Sequence, residues 1–283
     1  MAKESTLIVT KTSRFITLGM ALLFAICLVS SGRANEPSFT TINVPGAFYT
    51  NPSGINTQGD IVGGYGGFGH GFLLSKGAFA TIDVPQPAIF TQASGVNPQG
   101  DIVGYFFFSV HSHAFLLSNG AFTILEIPGA LETQAFGINL HGDIVGFYQN
   151  STGGHGFLRS NGTFTTIDVP GAAATLAYGI NAQGDIVGYS GGHGFLRRNG
   201  AFTTIDVPGA STTAAYGINP QGDIVGVYGN ATGGHGFLLS NGAFTTIDVP
   251  GASSTAAYGI NPQGDIVGNY TDATGSHGFL RSK

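Results

Sequence analysis

The stretch Tyr216-Gly-Ile-Asn-Pro-Gln-Gly-Asp-Ile-Val-Gly226, followed by His235-Gly-Phe-Leu-Leu-Ser-Asn-Gly-Ala-Phe-Thr-Thr-Ile-Asp-Val-Pro250, decides the fold. Runs rich in Ile, Val, Thr, Phe and Tyr alternate with turn residues, which predicts strands over 214–219, 223–228, 235–240 and 243–249. Asn219-Pro-Gln-Gly222 suits a type I turn, with Asn first, Pro second and a glycine free to take positive φ last. Asn241-Gly242 suits a two-residue hairpin, because both residues tolerate positive φ. The phrase recurs six times. Its aspartates Asp60, Asp101, Asp143, Asp185, Asp223 and Asp265 are 41, 42, 42, 38 and 42 residues apart. A period near 42 built from short strands predicts propeller blades. A parallel β-helix is the rival, but it has shorter coils and no need of repeated Asn-Gly hairpins.

The sixth copy reaches Lys283 before its Thr-Thr-Ile-Asp-Val-Pro, and a matching Thr40-Thr-Ile-Asn-Val-Pro45 precedes the first copy. The expected fold is therefore an all-β, six-bladed propeller of four-stranded antiparallel blades, closed where the N-terminal strand completes the last blade. Neighbouring strand residues such as Ile224 and Val225, or Phe237 and Leu238, are both apolar, as in a sheet covered on both faces. The first strand of each blade, next to the axis, repeats a glycine at Gly54, Gly95, Gly137, Gly179, Gly217 and Gly259, which permits close backbone approach. The aspartates of Gly-Asp-Ile-Val-Gly are expected to satisfy backbone donors of the adjacent turn.

Residues 1–34 differ from the rest. Lys3, Lys11 and Arg14 precede an apolar run from Phe15 to Val29, and Ser30-Ser-Gly-Arg-Ala34 places small residues at −3 and −1 of a cleavage point. This is the layout of a secretory signal peptide, with an uncleaved anchor as the alternative. Cys27, the one cysteine, lies within it, so residues 35–283 carry no disulfide and depend on packing. Four of ten basic residues and one of fifteen acids fall in the leader, leaving six basic residues against fourteen acidic ones, a net charge of −8. That balance argues against nucleic-acid partners and anionic membranes. Glycine, at 47 residues, marks turns rather than disorder, because 42% of the chain is hydrophobic.

Hairpin register yields a repeated pair. If Asn241-Gly242 closes the loop, Ser240 faces Ala243 and His235 faces Asp248. The same count opposes His70 to Asp83, His113 to Glu126, His155 to Asp168, His193 to Asp206 and, in the closing blade, His277 to Asn43. Directly opposed Cβ atoms lie about 4.5–5.5 Å apart, within reach of a carboxylate–imidazole hydrogen bond. Near-identical pairs in successive blades read as structural clasps, since a catalytic site is not needed in each. Six equivalent histidines do not converge on one metal ion either. Packed sheets lie about 10 Å apart, whereas Zn–N bonds are about 2.0–2.1 Å. No cofactor is expected.

The segment His113-Ala-Phe-Leu116, following Ser94-Gly-Val-Asn-Pro-Gln-Gly-Asp-Ile-Val-Gly104, resembles the extracellular HAF-repeat family, named for its His-Ala-Phe tripeptide. The resemblance covers residues 40–283, although the other five copies read His-Gly-Phe-Leu. It implies an exported bacterial repeat protein and transfers no catalytic residue. The expected function is a secreted, non-catalytic binding or scaffold module, monomeric, at the cell surface or in the periplasm. Its ligand is a glycan or protein met by Tyr65, Tyr148, Tyr228 and Tyr270. Residues peculiar to the second and third copies, Phe106, Phe107, Phe108, His111, Glu126, Glu132 and His141, mark an alternative asymmetric hydrolase or lyase site. A purely structural envelope protein is the third class.

Overall fold

The computed structural model describes residues 37–66, 69–85 and 88–282; the expected leader lies outside them. These residues form six four-stranded antiparallel sheets arranged as blades. The fifth blade comprises Thr212–Ile218, Ile224–Asn230, Gly233–Ser240 and Ala243–Ile247. Its second and third strands run further than the sequence pattern predicts, because Asn230 still pairs with Gly233 across a tight turn. Asn241 and Gly242 both take positive φ, 50° and 78°, and Ser240 pairs with Ala243 as the hairpin count requires.

The sixth blade has Ser254–Ile260, Ile266–Asp272 and Gly275–Ser282, and receives Ser38–Ile42 as its fourth strand. Thr41 pairs with Phe279 and Ile42 with Gly278. Phe39 packs edge-on against Phe279 at 5.6 Å, as Phe244 does against Phe237 at 5.6 Å in the blade before. The N-terminal strand thus supplies the same aromatic partner that the other blades supply internally. No helix among the described residues is long and apolar enough to cross a membrane.

The core lies between blades. One cluster joins Val62 and Ile82 of the first blade to Ala93, Ile102 and Phe115 of the second, and equivalent clusters recur around the ring. Adjacent sheets therefore cover each other's faces, which is why both faces of each strand are apolar.

Nearest the axis, backbones touch. A Cβ on Gly137 would stand 2.7 Å from the Tyr178 carbonyl oxygen and 3.3 Å from Gly179 Cα; one on Gly179 would stand 2.5 Å from the Tyr216 oxygen. The series closes on itself, since a Cβ on Gly259 would lie 3.2 Å from Gly54 Cα. Immediately before each glycine the first strand bulges, at Ser53, Ser94, Phe136, Tyr178, Tyr216 and Tyr258. A bulge re-aims the extra residue, and here it turns these side chains toward the channel.

Beside the glycines runs a belt of buried asparagines. Asn219 Oδ1 accepts the backbone N–H groups of Gln221 and Asp223 at 3.1 and 2.9 Å, while its Nδ2 donates to Asp223 Oδ2 at 3.1 Å. The expectation that the aspartates satisfy the turn donors is thereby corrected: asparagine accepts them, and the carboxylate holds the asparagine amide. The same amides reach the neighbouring blade, Asn56 to the Asn97 carbonyl at 3.3 Å and Asn139 to that of Asn181 at 3.2 Å.

Gly179→Ala adds one methyl group against a backbone oxygen that cannot move alone. A loss of roughly 1–3 kcal/mol, the usual cost of overpacking, is expected in urea denaturation. An unchanged midpoint would show the collar to be loose.

Candidate functional site

The turns joining first to second and third to fourth strands share one face of the ring, here the hairpin face. The remaining connections form the opposite, loop face, where the clasp histidine stands at or within two residues of the start of each third strand. His70, His155, His193 and His235 hold Nδ1 at 3.0–3.1 Å from both carboxylate oxygens of Asp83, Asp168, Asp206 and Asp248. His277 Nδ1 lies 3.2 Å from Asn43 Oδ1. In three blades the second ring nitrogen is also engaged: Nε2 of His155, His235 and His277 lies 2.8–2.9 Å from the hydroxyls of Thr152, Thr232 and Thr274.

The second blade departs from the expected pairing. His113 and Glu126 make no hydrogen bond among the described residues; His113 instead stacks on Phe106 at 5.4 Å. Glu126 follows the fourth strand, Ala121–Leu125, and its longer side chain does not reproduce the aspartate geometry.

The tyrosines expected to meet a ligand need a second correction. Tyr148, Tyr228 and Tyr270 are buried, and Tyr65 is half-buried. Each lies opposite a clasp histidine and packs on it, with ring centroids 5.1–5.5 Å apart. Each phenol reaches a threonine hydroxyl of the fourth strand: Tyr65 to Thr81, Tyr148 to Thr166, Tyr228 to Thr246 and Tyr270 to Thr41, at 2.8–3.0 Å. The unit is therefore a layered clasp of carboxylate, imidazole, phenol and hydroxyl.

The divergent residues do not assemble into one site. Phe106 is buried beneath His113, Phe107 packs on Phe90 and Tyr105, and Phe108 and His111 are exposed at the end of their hairpin. Glu132 opens the strand Glu132–Ile138 on the loop face, 3.4 Å from the Ser112 hydroxyl. His141 lies in the turn after that strand, on the hairpin face. Seven residues of strand, at about 3.3 Å each, separate the two. No group of three or more His, Cys, Asp or Glu side chains among the described residues is placed to hold a metal ion.

The feature that sequence reading missed is the mouth of the axial channel on the loop face. The bulges place Phe136, Tyr178, Tyr216 and Tyr258 along one arc of its rim and Ser53 and Ser94 along the other, with Asn51, Gln92 and Tyr105 completing a cavity of about 190 Å³. The aromatic rings form a series, Tyr105 to Phe136, Tyr178, Tyr216 and Tyr258, with centroids 4.4–6.2 Å apart. Asn269 Nδ2 donates to Asn51 Oδ1 at 3.1 Å and Gln92 Nε2 to Ser53 Oγ at 3.2 Å, which ties the polar arc together. No charged side chain lines the cavity. The signal was present in sequence as the residue before each axial glycine, which reads Ser, Ser, Phe, Tyr, Tyr, Tyr around the ring. Its direction depends on a bulge that period-two reasoning does not anticipate.

Burial pushes the phenols of Tyr105, Tyr178 and Tyr216 above their ordinary value of 10.0, and Tyr258 up to about 12. Neighbouring phenols add to the effect at Tyr178 and Tyr258. The mouth is thus neutral and rich in hydroxyl donors across the physiological range.

No protein-family model matches the sequence, and no curated protein matches it. Solved structures do resemble it in fold. A catalytically inactive histidine-to-alanine form of virginiamycin B lyase from Staphylococcus aureus, crystallised with quinupristin, aligns at a TM-score of 0.53 and 14% identity over 88% of this chain and 100% of that one. A protein provisionally named TolB from Agrobacterium tumefaciens aligns at 0.57 and 13% identity, covering 82% of this chain and 89% of its own. A provisionally named gluconolactonase aligns at 0.53 and 12% over 87% and 93%. Likeness at such identities speaks for architecture: the chain is a six-bladed β-propeller.

Raised phenol values carry a pH signature. Unfolded tyrosines ionise from about pH 10, while the buried ones stay protonated beyond it, so this stability is intact below pH ~10 and is lost as pH climbs through about 12. Melting temperature should hold to about pH 9.5 and fall above it, and a Tyr178→Phe, Tyr216→Phe, Tyr258→Phe variant should lose less over the same interval. An identical decline in both proteins would remove the mouth as its source.

Proposed function

We propose that this chain is an exported, non-catalytic binding module of the HAF-repeat type, presented at the bacterial cell surface or in the periplasm, with the channel mouth as its ligand site. The supporting observation is where the repeats differ. Collar and asparagine belt recur around the ring and the full clasp in four of its six blades, while the mouth divides into an aromatic arc and an amide–hydroxyl arc. A rigid scaffold that varies at a concave, water-accessible position has the form of a recognition surface.

The mouth also selects for chemistry. A charged ligand would lose its hydration there without a counter-charge, which is costly. Serine, amide and phenol groups instead satisfy hydroxyls or amides of a neutral ligand, and the aromatic edges take its apolar side. Around the mouth, the connections entering the first three blades expose Phe48, Ile89 and Leu131, where later copies carry Ala173, Ser211 and Ser253. A neutral glycan end, or a partner protein covering that apolar arc, fits this surface. The leader-like residues 1–34 support export.

Two measurements test the reading. Fractionation of cells expressing the full chain, with N-terminal sequencing, should find exported protein beginning at Asn35; an intact cytoplasmic protein would refute export. Neutral-glycan arrays and pull-downs from envelope extracts should yield a ligand whose affinity drops at least about tenfold in Tyr216→Ala, the loss expected for an aromatic anchor. Silence in both screens, or a ligand indifferent to Tyr216→Ala and Gln92→Ala, would refute the mouth as its site.

A further inference from the structure

We infer that the fourth blade carries a second site, one that takes a phenolic ring into the space where other blades keep a tyrosine of their own. In the third and fifth blades that tyrosine, Tyr148 or Tyr228, stacks on its clasp histidine at 5.1 or 5.2 Å and bonds the hydroxyl of Thr166 or Thr246. Residues of the preceding connection pack against the same clusters: Ile127 and Ala130 in one case, Val207 and Ala210 in the other.

The fourth blade has Ser190 at this position. Ser190 pairs with His193 as Tyr148 pairs with His155 and Tyr228 with His235, so the substitution is in register. The surroundings have not followed it. His193 is still held by Asp206, Thr204 stands where Thr166 and Thr246 stand, and Val169 and Ala172 replace the earlier connection residues one for one. The second blade makes an informative contrast. There Phe106 lacks the phenol oxygen, and the facing fourth-strand residue is Ile124 rather than threonine. Loss of the hydroxyl went with loss of its partner in that blade, but in the fourth blade the partner remains.

The space is not refilled. A cavity of about 340 Å³ opens there, lined by Ser190, His193, Phe195 and Thr204 together with Val169 and Ala172. Protein cavities of about 150 Å³ already hold benzene. Ala172 is exposed, whereas its counterparts Ala130 and Ala210 are half-buried. The His193 side chain is 61% exposed against 19% for His155 and 18% for His235. The hairpin is also shorter, turning through Gly191 and Gly192 at φ 61° and 98°, so it lacks the threonine that engages Nε2 in the third, fifth and sixth blades. Among the described residues, neither His193 Nε2 nor Thr204 Oγ1 makes a hydrogen bond. Ser190 Oγ is already committed to the Ala174 carbonyl at 2.8 Å.

These groups specify the ligand's chemistry. A flat ring stacks on the imidazole, its edge meets Val169 and Ala172, and its hydroxyl bonds Thr204. The Asp206 carboxylate disfavours an anion. The ligand class is a neutral 4-hydroxyphenyl group, whether free or on the tyrosine side chain of a partner.

The test is NMR titration of the full propeller, following the His193 ring. With p-cresol, saturable shifts at His193 are expected, with toluene binding severalfold more weakly for want of the hydroxyl. Thr204→Val should erase that difference, and Ser190→Tyr should abolish the shifts by filling the cavity from within. If Ser190→Tyr does not fold, Ser190→Leu serves the same purpose. Tyr216→Ala, at the channel mouth, should leave the His193 response unchanged, so failure of the mouth reading and failure of this one are separable. A peptide with a terminal tyrosine that binds tighter than p-cresol identifies a partner's side chain as the occupant, and equal or weaker binding identifies a free phenol. Absence of any His193 response, or a response surviving both Ser190 variants, overturns the proposal.

Discussion

Everything in this ring is set by how closely six backbones approach one another at the axis. Each first strand presents a glycine to the carbonyl oxygen of the next, with no room for a methyl group. That spacing brings the interblade cores of Phe, Ile and Val into contact and lets one blade's asparagine amide reach the next blade's carbonyl. The chain bulges just before that glycine, which is how the mouth acquires its side chains. Packing, interblade hydrogen bonding and the shape of the mouth are therefore consequences of one steric allowance rather than three separate designs.

The outer loop-face clasps show how a repeat protein tolerates change. Carboxylate, imidazole, phenol and hydroxyl form a stack in which each member has a partner, so altering one exposes the others. Blade two answers by replacing phenol and hydroxyl together, as Phe106 and Ile124, with Glu126 for the aspartate, and blade six by accepting an amide for the carboxylate, with Asn43 beside His277. Blade four alone among these leaves a vacated place with its neighbours intact. Repetition thus supplies its own reference: the intact blades define what the altered one has lost.

Much of this was legible in the sequence. Blade number, strand order, both turns, ring closure and the opposition of His235 to Asp248 all follow from period, turn chemistry and hairpin counting, because these are local or strictly repeated. What was not legible required knowing which way a side chain points. Tyr148, Tyr228 and Tyr270 read as ligand-facing residues, yet the sheet turns them inward beneath the histidines. Tyr178, Tyr216 and Tyr258 read as ordinary alternating strand residues, yet the bulge shifts them into the channel. The roles of Asn219 and Asp223 were exchanged for a similar reason. Both are polar and adjacent to the turn, and only geometry shows which accepts the backbone and which accepts the amide.

The sixth blade joins the two most distant parts of the chain, and this has a bearing on how the protein comes to exist. Five sheets can zip from consecutive hairpins as they emerge, but Ser38–Ile42 stays without its neighbour until Gly275–Ser282 arrives. During synthesis Ser38–Ile42 waits for Gly275–Ser282, and an unsatisfied sheet edge persists throughout that interval. Annular assembly is therefore committed in one late step, like a belt whose buckle is threaded only after it has gone round. Until that moment the molecule is an open arc, vulnerable to proteases and to pairing with its own kind.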